Sequence, residues 1–219
     1  MKVLFLNCCY FTKLSGSKKD YLLKGHRLIK TSKRVKDKFR SDFGKILTKH
    51  KPDLIFLAEI KQEDIVDLTK QYKYFIVENK YGKTGGRSGA ILSKSKVKLN
   101  KFLMSAGIKK LVLTAERGNK KFAVVHLSLS RNMRKKQLEE LLEKFRDHII
   151  VGDLNNFGGM PELELFKKTH NIADLGPTFP SSKPKKHLDH FIIPKKYKFK
   201  YQKIETLISD HLPIILNIK

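Results

Sequence analysis

Short apolar runs that end in a polar side chain are the feature of this sequence that most constrains its fold. Four of them read VLFLN, LIFLAE, FAVVH and IIVGD, and they end at Asn7, Glu59, His126 and Asp153. Apolar runs of this length are typical of strands buried on both faces. Because strands deliver the side chains at their ends to a common rim, we expect these four residues to lie near one another.

The remaining pattern predicts a chain in which strands outnumber helices. Apolar residues at three- and four-residue steps indicate helices from Ser32 to Pro52 and over 131–146, and a shorter helix is expected over 61–72. Residues 12–34 are polar and basic, and we expect them to form a long loop that faces a partner. Strands are predicted over residues 3–7, 53–60, 72–78, 111–116, 121–129, 187–193 and 209–218. HIIVGDLNN (148–156) is predicted to be a further strand with its exit loop, and a glycine-rich turn leads into AILSK (90–94).

The connections between these strands bear on the fold class. Several are short enough for hairpins, as at Arg117–Lys120, which does not fit a purely parallel sheet. We expect an α/β fold (α+β by some schemes): a four-layer sandwich of two packed mixed β-sheets flanked by helices. A length of 219 residues suits one core, so a single domain over 1–219 is expected.

The charge of the chain points to its partner. Forty-seven Lys and Arg against 21 Asp and Glu give a formal charge of +26, and such a chain is attracted to polyanions. Only eight of the basic residues are Arg. Since lysine binds phosphate as a point charge and base edges are read by the planar fork of Arg, we expect nucleic acid to be bound through its phosphate backbone. A generally lysine-rich composition would produce the same excess.

The two cysteines and the apolar runs bear on the compartment. Cys8 and Cys9 are adjacent, so their side chains point to opposite faces of a strand and a mutual disulfide is not expected. Reduced cysteines suggest an intracellular, cytoplasmic protein. No apolar run approaches the roughly 18 residues of a membrane-spanning helix. We therefore expect no membrane span, and we expect a monomer.

Polar residues at strand ends suit the hydrolysis of a phosphodiester. Carboxylate and amide oxygens bind hard cations such as Mg²⁺ or Mn²⁺, and an imidazole can move protons near neutral pH. Glu59 and Asp210 can supply the cation site and His211 the base, with His126 and Asn155 as donors to the phosphate. Zinc is less suited, because no Cys or His group has the spacing of a closed site. Each residue alone is more often a loop cap or a solvated side chain, so the interpretation depends on the whole set.

Taken in chain order, these motifs resemble the endonuclease/exonuclease/phosphatase superfamily, which includes deoxyribonuclease I and exonuclease III. The resemblance covers nearly the whole chain. It consists of Asn7 ending the first strand, LIFLAE with Glu59, VVHL with His126, GDLN with Asp153 and Asn155, TFP at 178–180, HLDH with Asp189, and SDH with Asp210 and His211.

The resemblance implies a metal site at the first of these motifs. Glu59 would bind the cation, Asn7 would help either as a ligand or by supporting one, and Asp210 would complete or flank the site. Two departures from the family pattern concern this site. Ala58 replaces the amide that usually precedes the metal-binding glutamate, and Cys9 stands where apurinic endonucleases carry a second acidic residue, which argues against a two-metal site.

The resemblance also implies catalytic roles for the later motifs. Asp189 would hold His211 in the correct tautomer, and His211 would activate or hold the attacking water. Asp153 and Asn155 would position the nucleophile and the phosphate. His126 stands where the deoxyribonuclease, phosphatase and sphingomyelinase branches carry a histidine, and it would donate to the phosphate or protonate the leaving group.

Basic residues cluster in three stretches that flank the strand ends, as a groove for a phosphate backbone requires. Lysine-rich chains also place lysines in loops without such a purpose. The candidate nucleic-acid-binding residues are Lys13, Lys18, Lys19, Lys24, Arg27, Lys33, Arg34, Lys83, Arg87, Lys183, Lys185 and Lys186.

The sequence thus predicts a Mg²⁺- or Mn²⁺-dependent phosphodiesterase, in the first place a nuclease acting on DNA or RNA with little sequence specificity. One alternative is a phosphoesterase of the same superfamily with another substrate, such as an abasic site, a DNA-end adduct, an inositol phosphate or a phospholipid. A second alternative is a catalytically idle nucleic-acid-binding protein. Since one fold serves many substrates, the motifs do not choose among these.

Overall fold

The computed structural model describes residues 1–78, 89–108, 111–157 and 159–219. Its α-helices are α1 (Lys18–Lys24), α2 (Lys33–His50) and α3 (Arg131–Lys144). Its strands are β1 (Lys2–Asn7), β2 (Leu54–Ala58), β3 (Tyr74–Glu78), β4 (Gly89–Ser93), β5 (Lys98–Leu103), β6 (Leu111–Arg117), β7 (Lys120–His126), β8 (Ile149–Asp153), β9 (His170–Ile172), β10 (Asp189–Pro194), β11 (Phe199–Lys203) and β12 (Ile214–Ile218).

The strands form two mixed sheets of six strands each. The first has the order β11-β12-β1-β2-β4-β3, and the second has the order β5-β6-β7-β8-β10-β9. Each sheet has one parallel pair at its centre, β1 with β2 and β7 with β8, while the other neighbours are antiparallel. The central strands are apolar on both faces, because both faces of each sheet are covered.

The two sheets pack face to face around the largest buried cluster. Phe56 of the first sheet and Phe122 of the second meet there, with ring centroids 5.2 Å apart. On the outer face of the first sheet, α2 buries Phe39 and Phe43. On the outer face of the second sheet, α3 buries Leu138 and other apolar residues. The order helix, sheet, sheet, helix confirms the predicted four-layer sandwich.

The predicted loop over residues 12–34 is wrong, because this segment contains α1 and a 3-10 turn at Gly25–Leu28. The hydroxyl of Ser17 accepts a hydrogen bond from the backbone N–H of Asp20 at 3.1 Å and thereby caps α1. No side chain of α1 is buried, so the apolar periodicity that reveals a helix is missing.

Other differences from the predicted elements concern short or exposed segments. Instead of one helix over 61–72, the chain forms two 3-10 turns, Gln62–Asp64 and Leu68–Lys70. Three strands, β5, β9 and β11, were not predicted. All three are edge strands, and since one flank of an edge strand faces solvent, β5 and β11 carry charged and polar residues rather than an apolar run.

None of the helices within the described ranges has the length and apolar composition to cross a membrane.

Candidate active site

The sheet register brings the predicted residues to one rim. In the first sheet Asn7 pairs with Ala58, so Glu59 follows immediately beside it, and the antiparallel β12 places the preceding SDH segment at the same edge. In the second sheet Asp153 lies between its partners His126 and Asp189. Strand ends from both sheets therefore meet at one edge of the sandwich.

Seven of the eight predicted catalytic and metal-binding residues line one cleft of about 530 Å³ at this edge. The eighth, Asp189, is buried and contacts His211 from behind. The seven are Asn7, Glu59, His126, Asp153, Asn155, Asp210 and His211. The other side chains of the lining are Tyr10, Leu28, Leu129, Phe157, Phe179, Lys186 and Leu188.

His211 and Asp189 form a buried hydrogen-bonded pair. Nδ1 of His211 lies 2.7 Å from Oδ2 of Asp189, which also accepts a hydrogen bond from the hydroxyl of Thr178 at 2.5 Å. Burial by itself would lower the pKa of His211, but the nearby carboxylates, Asp189 foremost, outweigh it and raise the pKa from 6.5 to about 10. In the metal-free protein His211 is therefore cationic at neutral pH.

The carboxylate of Asp153 lies close to four other residues of the cleft. Its Oδ2 accepts a hydrogen bond from Nδ2 of Asn7 at 3.1 Å, and its Oδ1 accepts one from the backbone N–H of Asn155 at 2.9 Å. Nε2 of His126 lies 3.3 Å from the Asp153 carboxylate, and Nε2 of His211 lies 3.8 Å from it. The carboxylate is thus held by one amide and one backbone N–H, with an imidazole nitrogen from each histidine close by.

Three residues of the cleft have a left-handed backbone that is rare outside glycine. Tyr10 and Glu59 have φ +51°, and Asn155 has φ +49°. Such conformations cost on the order of 1–3 kcal/mol each and persist where the surrounding structure imposes them. The carbonyl oxygen of Glu59 accepts a hydrogen bond from the N–H of Tyr10 at 2.9 Å, and the side-chain amide of Asn155 donates to the carbonyl of Leu127 at 2.9 Å. These contacts fix the turns that direct Glu59 and Asn155 at the cleft.

Gly152, the first residue of the GDLN motif, lies where β8 passes very close to β7. A Cβ atom at this position would lie 1.9 Å from the carbonyl oxygen of Val125 on β7. Since no side chain fits there, only glycine lets β7 and β8 approach closely enough to put His126 beside Asp153.

Asp210 is held by the hydroxyl of Tyr21 in α1, which donates a hydrogen bond to Oδ2 of Asp210 at 2.9 Å. The hydroxyl of Ser209 lies 3.2 Å from Oδ1 of Asp210, but its nearer acceptor is the carbonyl oxygen of Asn7 at 2.7 Å. Gly16, two residues before α1, has φ +74°, and a Cβ there would lie 2.5 Å from Pro180 and 3.2 Å from Cβ of Asp210. Helix α1 therefore contacts the cleft directly, through the hydrogen bond from Tyr21 to Asp210.

Two sets of donors could hold a cation. Ligand atoms of Asp153, Asp189 and His211 all lie within 4.8 Å of one another. A cation on Nδ1 of His211 would break its hydrogen bond to Asp189. Glu59 and Asp210 offer carboxylates in the same cleft without that loss, and they are hard oxygen donors of the kind Mg²⁺ and Mn²⁺ prefer.

Cys9 does not act as an acidic ligand. Burial, followed by the charges of Asp210 and Glu59, raises the pKa of the Cys9 thiol far above its usual value. Burial likewise raises the pKa of Cys8, and both cysteines are free. The thiol of Cys9 is thus neutral near physiological pH.

The sequence did not reveal Tyr21, Thr178 or Tyr10 as parts of the site. Tyr21 lies in the segment that was predicted to be a loop, 189 positions from Asp210. Thr178 was visible only as the first residue of TFP, and its hydrogen bond to Asp189 gives that motif a function. Phe179 of the same motif packs on His211, with ring centroids 5.0 Å apart.

The predicted basic residues are placed unequally around the cleft. Lys186 lines it, while Lys183 and Lys185 are exposed in the same loop. Lys13 is engaged in an ion pair with Asp42, and Lys24 lies 2.7 Å from Asp20. Of the remaining residues, Arg27 is half-buried, and four are exposed: Lys18, Lys19, Lys33 and Arg34. Lys83 and Arg87 lie outside the described residues.

No protein-family model and no curated protein sequence matches this chain. Solved structures do. Mannosyl-6-phosphatase Bt3783 of Bacteroides thetaiotaomicron is similar with a TM-score of 0.76 at 14% identity, covering 100% of this chain and 99% of that chain. An endonuclease/exonuclease/phosphatase family protein of the same organism has a TM-score of 0.74 at 14% identity, with coverage of 100% and 94%.

A third match is TDP2 of D. rerio, solved in complex with a single-strand DNA product. It has a TM-score of 0.63 at 18% identity, covering 100% of this chain and 98% of that chain. The three proteins share the two-sheet sandwich over the full length of the chain. This chain therefore shares its fold with these three proteins, one of which is an endonuclease/exonuclease/phosphatase family protein.

Proposed function

We propose that this chain is a divalent-metal-dependent phosphodiesterase that hydrolyses nucleic acid, DNA in the first place and RNA as a second substrate, with little sequence preference. One observation carries the proposal. The buried Asp189–His211 pair faces Asp153 in a cleft that also presents the carboxylates of Glu59 and Asp210. A paired imidazole and separate oxygen donors are the parts that phosphodiester hydrolysis needs.

The protein's own groups supply proton transfer and charge stabilisation. His211, held through Nδ1 by Asp189, presents Nε2 on the side of Asp153 and activates the attacking water. Asp153 and Asn155 position the water and the phosphate, and His126 donates to the leaving oxygen. The water oxygen bonds to phosphorus as the bond to the leaving oxygen breaks, which yields a phosphomonoester and a hydroxyl.

Glu59 and Asp210 would hold the cation, and Asn7 would support the site through its hydrogen bonds. Both polar atoms of the Asn7 side chain form hydrogen bonds. Oδ1 accepts one from the backbone N–H of Cys9 at 3.1 Å, and Nδ2 donates one to Asp153. When bound, Mg²⁺ or Mn²⁺ neutralises charge on the phosphate and on the leaving oxygen. The two carboxylates match this role because hard cations prefer oxygen ligands.

Nucleic acid is the substrate class that the charge favours. The chain carries +26, and Lys186 stands in the cleft with Lys183 and Lys185 beside it in the same exposed loop. Lysines at a rim bind phosphates irrespective of base, which fits a nuclease of low sequence preference. Among proteins of this fold, the TDP2 complex with a single-strand DNA product supports the same class.

Cleavage of labelled oligonucleotides tests the proposal. The purified chain would be incubated with matched duplex, single-strand, abasic-site and RNA substrates over titrations of Mg²⁺ and Mn²⁺, with products resolved by length and end chemistry. We expect metal-dependent cleavage that EDTA abolishes. Intact substrates at every metal concentration would contradict it.

A parallel panel of other phosphoesters separates the chemistry from the substrate class. It contains an inositol phosphate, a phospholipid, mannose 6-phosphate and a peptide-linked DNA end. Turnover confined to one of the first three would retain a metal-dependent phosphoesterase and overturn nucleic acid as the substrate. Turnover confined to the peptide-linked DNA end would instead replace cleavage of the nucleic-acid backbone with removal of a DNA-end adduct. Salt-sensitive DNA binding without turnover of any ester would instead identify a binding protein.

A further inference from the structure

Large aliphatic side chains stand exposed on the segment that joins the first strand to α2. Leu22 of α1 is 86% exposed and Ile29 is 88% exposed, while Leu23 and Leu28 are also exposed. The turn Gly25–Leu28 packs directly on α1, so these residues belong to one compact surface element. Single exposed leucines are common, but four within eight residues form a concentration that calls for a partner.

Basic residues surround these aliphatic side chains. Residues 18–34, the docking segment below, contain seven Lys and Arg and one Asp. The carboxylate of that Asp20 is already engaged by Lys24 at 2.7 Å. Five of the cations are exposed and form no ion pair within the described part of the chain, namely Lys18, Lys19, Lys30, Lys33 and Arg34. The segment thus combines exposed aliphatic side chains with a strong positive charge.

The chemistry of the segment distinguishes among partners. A second copy of the chain would bring the same seven cations opposite themselves, and like charges repel. Nucleic acid would match the cations of the segment, as the sequence alone suggested, but its phosphate backbone offers nothing to the exposed aliphatic side chains, and its bases stack on aromatic rings. Tyr21 is the only Phe, Tyr or Trp of the segment, and its hydroxyl is bound to Asp210. An anionic lipid surface satisfies both properties, since apolar side chains enter the acyl boundary while lysines contact the head groups.

We propose that residues 18–34 form a docking surface for an anionic phospholipid bilayer, with Leu22 and Ile29 inserted at the interface. The contact is peripheral. Leu28 lines the cleft and Tyr21 binds Asp210, so a docked segment holds the cleft close to the bilayer surface. This inference goes beyond the proposed phosphodiesterase activity and does not depend on it.

Binding to vesicles tests the inference without any need for catalysis. The full chain is sedimented with large unilamellar vesicles of phosphatidylcholine alone or of phosphatidylcholine mixed with phosphatidylglycerol. We expect binding to the anionic vesicles that weakens with salt, and little binding to phosphatidylcholine alone. The variant Leu22→Ser/Ile29→Ser should bind the anionic vesicles at least about ten-fold more weakly, because two inserted side chains are lost.

A matched control separates insertion of these two side chains from nonspecific hydrophobic binding to vesicles. Leu103 and Ile108 are another exposed Leu and Ile pair outside the docking segment, 60% and 73% exposed. The variant Leu103→Ser/Ile108→Ser removes the same side-chain types and should bind like the wild type. Circular dichroism of both variants checks that each is folded.

The absence of tryptophan from the chain permits a second readout. In Leu22→Trp the new indole is the only one, and its emission should shift to the blue with anionic vesicles, whereas Leu103→Trp should not respond. In the sedimentation assay, the inference would be overturned if the wild type does not bind anionic vesicles, or if Leu22→Ser/Ile29→Ser binds them as tightly as the wild type. In the fluorescence assay, it would be overturned if the emission of Leu22→Trp responds to oligonucleotides but not to anionic vesicles. A dimer in solution that Leu22→Ser/Ile29→Ser dissociates would overturn it in favour of a second copy.

Discussion

Nδ1 of His211 lies 2.7 Å from Oδ2 of Asp189, and both side chains are buried at the meeting point of the two sheets. This bond leaves Nε2 of His211 as the nitrogen on the side of Asp153. A residue at the start of β10 thus orients a residue of the loop before β12, which belongs to the other sheet. The candidate site therefore forms only when the two sheets are packed against each other.

The raised pKa of His211 predicts how the stability of the metal-free protein depends on pH. The folded-state pKa of about 10 exceeds the ordinary value of 6.5, so protonated His211 stabilises the fold fully below pH 6.5. That contribution is lost as pH rises through about 10. In EDTA, the free energy of unfolding of wild type minus that of His211→Gln should therefore decrease from pH 6 to pH 10. Denaturant titrations measure it, and a difference that is constant with pH would contradict the assignment.

Removing the Tyr21 hydroxyl should weaken metal binding. Tyr21→Phe deletes the donor to Asp210 at 2.9 Å and leaves this proposed metal ligand less well oriented. Loss of a partner that orients a ligand typically costs about 10- to 100-fold in metal affinity. Calorimetric titration with Mn²⁺ measures the change. Tyr201→Phe is the matched control, because the hydroxyl of Tyr201 bonds to the distant carbonyl of Asp174, and equal affinities in the two variants would disprove a role for Tyr21.

Gly152→Ala should destabilise the fold severely. The new methyl group would lie 1.9 Å from the carbonyl oxygen of Val125, so β7 and β8 must separate, and we expect a loss of about 3 kcal/mol or more in the free energy of unfolding. Gly44→Ala in α2 meets nothing within 4 Å and should stabilise by up to about 1 kcal/mol. Chemical denaturation of both variants checks the contrast. A small effect at Gly152 would show that the two strands can move apart at little cost.

Lysines at the cleft should govern the salt dependence of DNA binding. The variant Lys185→Ala/Lys186→Ala removes two cations from the loop beside the cleft and should reduce the slope of log affinity against log salt by about 2. Fluorescence anisotropy with labelled DNA at several salt concentrations gives the slope. Lys198→Ala/Lys200→Ala removes two exposed lysines at and beside β11 and should leave the slope nearly unchanged. Equal slopes in both variants would place the DNA elsewhere.

The sequence predicted the sheet interior well because the central strands are apolar on both faces. Apolar runs at β1, β2, β7 and β8 were visible, and the polar residue at the end of each was at the rim. The edge strand β3 was predicted from its apolar run, whereas the edge strands β5 and β11 were missed because they carry charged and polar residues. Helix α1 was missed for the related reason that it buries none of its side chains.

Within the site, the local motifs were predictable and the contacts between distant segments were not. GDLN and SDH identify Asp153 and His211 by sequence alone, whereas the bond from Tyr21 to Asp210 joins residues 189 positions apart. The left-handed backbone of Glu59 was equally hidden, since glutamate carries no signal for positive φ. Such features depend on tertiary packing, which overrides local preference at functional sites.

The central claim is that His211 and Asp189 act as one unit in phosphodiester hydrolysis. We predict that His211→Asn and Asp189→Asn each lower kcat/KM for oligonucleotide cleavage by about 100- to 10,000-fold. The double variant should be slower than the slower single variant by no more than about three-fold, because residues that act together are not additive. Asp174→Asn, at an exposed carboxylate, should retain wild-type activity. Multiplicative losses in the double variant, or full activity in either single variant, would contradict the claim.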